Sequence, residues 1–200
     1  MNGYHKHENG GGWVADTAKV AASAYVGPDA WVSGNAWVSG CATVTGSARV
    51  DGYARVSGNA TVSGKAVVSE DAWIDSNATV SGKAVVSGNA TVTVKAVVSG
   101  KATVSDNARV SSNAWVSGDA KVSGYAYVRG NAMVGGNAKV RGNAMVCGNA
   151  TVSGNATVSD DAWIDSNAQV IGNATVSGNA EGGGDAQVGG DAQVGGDPAL

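Results

Sequence analysis

The chain is governed by a beat of six residues. Alanine stands at position 18 and at every sixth position through Ala192, thirty alanines with no insertion or deletion. A second register lies two residues after each alanine. It holds valine from Val14 to Val194, with Ile74 and Ile164 as close substitutes and Gly182 as the one break. A period this short and this strict specifies a solenoid, in which each small unit is stable only against its neighbours.

The local chemistry fixes the unit. Ala-x-Val alternates apolar, variable and apolar residues, the pattern of a short strand with one buried face. The three residues that follow are mostly Ser-Gly-Asn, as at Ser33-Gly34-Asn35. Gly and Asn accept left-handed backbone angles, so this tripeptide marks a corner. A closed coil needs at least three sides. Three hexads, eighteen residues, therefore make one triangular turn. Strands of successive coils stack about 4.8 Å apart, and ten coils give a prism on the order of 48 Å long. The expected fold is all-β: a parallel β-solenoid of triangular cross-section over residues 13–196. A flexible Gly-rich leader is expected at 1–12, with Trp13 as the first ordered side chain, and a short tail at 197–200 in which Pro198 stops strand pairing. No helix is expected at either end, so both ends are expected to be uncapped.

Composition narrows the alternatives. Phe is absent and Leu200 is the sole leucine, so no ordinary globular core can form. A net charge of −3 leaves no footprint for nucleic acid or an anionic membrane. No apolar run is long enough to span a bilayer as a helix, and the start MNGYHKHENGGGWV lacks the apolar core of a conventional signal peptide. The compartment is left open: cytoplasmic, or exported or on a virion surface by another route. Cys41 and Cys147 sit nearly six coils apart, roughly 28 Å at the strand spacing, too far for a disulfide.

Between each Ala and Val one residue faces solvent. Read every eighteen residues, these fall into three columns, one per face. The first runs Lys19, Trp37, Arg55, Trp73, Thr91, Arg109, Tyr127, Met145, Trp163, Glu181. It is the most aromatic, and Arg55 between Trp37 and Trp73 allows cation–π contacts of about 0.5–1 kcal/mol each. Trp37, Arg55, Trp73, Arg109, Tyr127, Met145 and Trp163 are thus the candidate interaction face, for self-association, a protein partner or a glycan. Strand propensity alone also favours exposed aromatics in sheets. The second column places Thr43, Thr61 and Thr79 on consecutive coils, each followed two residues on by Thr45, Ser63 and Ser81. Two ranks of hydroxyls on a flat sheet resemble the ice-binding surfaces of some antifreeze solenoids, but Val97, Trp115 and Met133 interrupt them. Lys65, Lys83 and Lys101 stack on one corner above Asp119. Six Asn-Ala-Thr sequons, the first at Asn59, are generated by the repeat itself. A longer echo, EDAWIDSNATV at 70–80 and DDAWIDSNAQV at 160–170, is offset by five whole coils, so both copies lie on the same face.

Catalytic chemistry is not legible. The two histidines, His5 and His7, lie in the leader, away from any Cys or acid cluster. No Gly-rich turn precedes a helix that could cradle phosphate. No metal or cofactor site is expected.

Val-Ser-Gly-Asn-Ala-Thr, as at 152–157, resembles the hexapeptide repeat of left-handed parallel β-helix proteins, with Val152 and Ala156 in the aliphatic and small positions. The resemblance covers roughly nine tenths of the chain. It implies left-handed coils, which periodicity alone does not fix. Many members of that family are acyltransferases using acyl-CoA, whose active sites use a histidine and loops between coils; neither feature lies in these coils. The chain looks closer to the uninterrupted, non-enzymatic members. The expected function is a structural or interaction solenoid, self-assembling end to end or side by side into oligomers or fibrils. An acyltransferase relative and an ice-binding solenoid are the alternatives.

Overall fold

The computed structural model describes residues 3–196. The chain winds as a parallel β-solenoid of about eighteen residues per coil, and each hexad contributes one two-residue strand and one corner. Strands pair in register with those one coil away: Trp73 with Arg55 and Thr91, Thr61 with Thr43 and Thr79, Val67 with Arg49 and Val85. Among the described residues this gives two faces of ten strands and one of twelve. The faces follow the three columns read from the sequence. No helix occurs among the described residues, so none is long and apolar enough to cross a membrane.

The core is the two registers and little else. From Ala24 to Ala180 every register alanine and valine is buried, and Ile74 and Ile164 occupy valine positions without disturbing the stack. Gly182, the break in the valine register, keeps its strand and pairs with Ile164. So thin a core does not by itself offset the entropy of ordering each coil. The remainder comes from the ladder between coils. Trp73 N donates to Ala90 O at 2.9 Å, Asp75 N to Val92 O at 3.0 Å and Asn77 N to Val94 O at 2.7 Å, and the same three bonds recur on nearly every side. The corner side chains add a second ladder: Asn113, Asn131, Asn149 and Asn167 each donate an amide N–H to the next rung, ending on Asp185. At Asn59, Asn89, Asn149, Asn155 and Asn173 the sequon amide is held in this way.

Corners turn through the left-handed region. At Gly58, with φ of +66°, a Cβ would meet Ser76 N at 2.8 Å, so backbone lies directly on backbone. Seven corners carry a side chain there instead. Glu70, Asp106 and Asp160 use it: their carboxylates accept the N–H of Gly88, Gly124 and Gly178 in the next coil at 2.7, 3.0 and 3.2 Å. Val94, at φ 67°, is β-branched and exposed and has no such compensation.

Two expectations about the amino-terminal end are corrected. Residues 3–12 do not form an unstructured leader. Tyr4–Lys6 pairs antiparallel with Trp13–Ala15, making a hairpin that lies across the first coil. Trp13 is therefore not the first ordered side chain; Tyr4 packs edge-on against Trp31, and Trp13 stacks on Trp31. Nor is this end bare. The carbonyls of Ala24, Val26 and Pro28, which face outward along the axis, are taken up by the hairpin. His7 Nε2 and Asn9 Nδ2 donate to Ala24 O at 2.9 and 3.1 Å, Gly12 N to Val26 O at 2.8 Å, and Lys6 Nζ to Pro28 O at 3.5 Å. Two of the three faces are thereby covered at this end. The edge of Lys19–Val20 is left open among the described residues. A helix was not needed because polar side chains on a tight hairpin satisfy the same acceptors. The expected tail with Pro198 lies outside the described residues.

Two outcomes follow from the corners and the cap. Val94→Gly relieves left-handed strain and raises stability by about 1 kcal/mol, whereas Gly58→Ala lowers it by at least about 1 kcal/mol; chemical denaturation measures both. Replacing His7 and Asn9 together by Ala orphans a buried carbonyl, at about 1–3 kcal/mol, and hydrogen exchange speeds up in residues 13–26 while the middle coils are unchanged.

Candidate interaction faces

The first face brings its predicted residues into one strip. Trp37, Arg55 and Trp73 stand on three consecutive coils, with Arg109, Tyr127, Met145 and Trp163 further along the same sheet. Trp37, Trp73 and Trp163 keep 50%, 45% and 42% of their surface exposed, far more than the core register allows. The rings of Trp73 and Trp163 are not free to swing. Large side chains on this face lean back across the preceding coil and bond to the residue after its valine. Trp73 Nε1 donates to Ser57 Oγ at 3.4 Å and Trp163 Nε1 to Cys147 Sγ at 3.2 Å. Ser111 Oγ donates to Tyr127 Oη at 3.1 Å, and Arg129 Nη2 lies 3.7 Å from Met145 Sδ. From Trp73 to Trp163 the large side chains of this face are thus pre-oriented, which lowers the entropy cost of covering them.

Between the first two indoles the surface is concave. A groove of about 490 Å³ is lined by Trp37, Arg55 and Trp73 together with Lys19, Tyr53 and Asp71, among others. A smaller one of about 160 Å³ lies on the other side of Arg55, against Ser39 and Ser57. The cation–π stack expected at Arg55 is not formed. Among the described residues such contacts are Lys6 over Trp13 at 3.9 Å and Arg129 beside Tyr127 at 5.6 Å. The Trp73 indole leans onto Ser57 rather than onto the guanidinium, and Arg55 makes no ion pair among the described residues.

On the second face Thr43, Thr61 and Thr79 are in register on consecutive coils, with Thr45, Ser63 and Ser81 beside them. The ranks last three coils and give way to Val97, Trp115 and Met133. There, Gly135 replaces the usual serine and a pit of about 300 Å³ opens against Trp115, Met133 and Thr151. On the lysine corner Lys101 pairs with Asp119 at 3.6 Å, both well exposed, a contact of little energetic weight. Both cysteines are free, Cys41 exposed and Cys147 buried. His5 is engaged with Asp16 at 3.1 Å. No group of three or more metal-ligating side chains occurs among the described residues.

The two EDAWIDSNATV-like segments fold alike. Glu70 and Asp160 both cap the next coil's corner glycine, Ser76 and Ser166 both take left-handed angles, and Trp73 and Trp163 both lie on the first face.

Stacked parallel coils in fixed register on all three faces decide the architecture. The chain is a parallel β-solenoid repeat protein. The solenoid matches the family model described as the YdcK beta solenoid repeat over residues 54–70, 102–118 and 144–160. Each match spans about one coil and starts on a register alanine, on the first face at Ala54 and Ala144 and on the third at Ala102. The repeat unit is therefore about one full turn, and it is matched from two of the three sides. No curated protein matches the chain.

Sequence reasoning named the aromatic column but missed Tyr53, Asp71, Asp75 and Arg129, which stand beside it. The signal was present. Reading the corner positions, and the position after each valine, at the same eighteen-residue interval places all four against the first face.

Proposed function

We propose that the protein is a structural and interaction solenoid, without catalytic function, that self-associates side by side through its first face. One observation carries this reading: three indoles, Trp37, Trp73 and Trp163, stand exposed on one sheet, and those of Trp73 and Trp163 are held in place by hydrogen bonds. Exposed apolar surface gathered on one face marks interaction sites. End-to-end growth is disfavoured because, at the amino-terminal end, the hairpin has already taken carbonyls on two of the three faces that a second tube would pair with. Sedimentation velocity over a concentration series gives a discrete oligomer under this reading. Trp37→Ser with Trp163→Ser shifts it to monomer with unchanged circular dichroism. A monomer at all concentrations, or fibrils in electron micrographs, removes it.

A second reading rests on the registered hydroxyls at Thr43, Thr61 and Thr79. Three coils of hydroxyls present a flat, regularly spaced surface suited to ordered water. Thermal hysteresis in the purified protein that is lost in Thr61→Lys supports it; no hysteresis at millimolar concentration ends it.

A further inference from the structure

We infer that the first face pairs with a second copy of itself in antiparallel orientation, about a two-fold axis that runs along the strands and passes between Thr91 and Arg109. The inference rests on the side-by-side reading above and adds the partner's direction and register.

The argument starts from charge along the axis. All 13 Lys and Arg residues precede position 142. Beyond it the described chain holds only acids: Asp160, Asp161, Asp165, Glu181, Asp185 and Asp191. The part before residue 142 carries nine acids beside those cations and is net positive, so two tubes side by side in the same direction set net-positive part against net-positive part and acidic end against acidic end. Reversing one sets the basic body against the acidic end.

The first face is self-complementary under that reversal. It has ten strands, so the first opposes the tenth, the second the ninth, and so on inward. Lys19 then faces the partner's Glu181, and Trp37 faces the partner's Trp163. Arg55, in its groove, faces the partner's Met145, and Trp73 faces the partner's Tyr127. In the adjacent row, one residue after each valine, Asp75 faces the partner's Arg129. No like charges meet in either row. Lys19, Glu181, Asp75 and Arg129 have no ion pair within the chain among the described residues, so all four are available to a partner.

The other faces lack this property. On the third face an end-for-end pairing sets Arg49 or Val67 against Lys139, and the second face carries no charged residue in its outward column. The size is also adequate. A sheet about 48 Å long and about 15 Å wide, from strand spacing and residue rise, covers roughly 700 Å² per copy. The total of about 1,400 Å² is within the range of specific, stable interfaces. The symmetry is isologous and closed, so assembly stops at two.

Charge reversal tests the register. Asp75→Arg and Arg129→Asp each weaken the dimer by about tenfold or more, and the double variant returns to within about threefold of the parent in analytical ultracentrifugation. Because Asp75 also accepts a hydrogen bond from Ser57, the exposed pair Lys19→Glu and Glu181→Lys is run in parallel with the same expected pattern. Spin labels test direction. In a Cys41→Ser background, a label at Ser23→Cys lies near the end of the tube and one at Lys95→Cys near the axis. The antiparallel dimer separates the Ser23 labels by about nine strand spacings, roughly 43 Å, and brings the Lys95 labels close together. A dimer with equal short distances at both sites, or one indifferent to both charge swaps, overturns the register while leaving side-by-side association standing. A strictly monomeric protein overturns both.

Discussion

Backbone resting on backbone at the corners is the contact on which the tube depends. Each side is six residues long, and three of them are spent turning. The turn requires a left-handed angle, and the next coil's corner lies so close that a side chain pointing along the axis has almost no room. This single steric demand fixes the coil length, the registration of the strands and the placement of glycine. The valine and alanine layers then fill whatever space the corners enclose. Where glycine is absent, the substitutes show the rule by its exceptions. Glu70, Asp106 and Asp160 recover something by accepting the next coil's N–H, whereas Val94 recovers nothing.

The same demand leaves the outside free to vary. Apart from Gly182, inward residues in the strands are Ala, Val and Ile, but the residue between them can be Trp, Arg, Thr, Lys or Glu without changing the fold. Composition on each face is therefore decoupled from the fold. A chain of this type can carry an aromatic strip on one side, hydroxyl ranks on another and amide ladders on its edges, each repeating at the coil height.

This decoupling explains which parts were legible in the sequence. The coil was readable because every hexad restates it: Ala60 and Val62 say the same thing as Ala150 and Val152. The Trp37–Trp73 column was readable because eighteen-residue sampling follows from the coil. The hairpin at Tyr4–Lys6 was not, because it occurs once, outside the period, and its order comes from His7, Asn9 and Lys6 reaching carbonyls that no local pattern announces. The unmade contact at Arg55 was hidden for a different reason. Its column neighbours suggested a stack, but the indole of Trp73 is directed by Ser57, a residue on another column. Side-chain lean across coils is a diagonal relation, and straight columns do not display it.

The hairpin bears on how such a chain is made. Every coil is held by contacts to the coil before it, about eighteen residues away, and by little that is more distant. In vectorial synthesis the hairpin end, covered on two of its three faces, emerges first and offers an edge to the next turn. Each later turn finds its template already in place, so the nascent molecule can lengthen like a zipper closing behind the ribosome, with its newest rim the main unsatisfied surface at any moment.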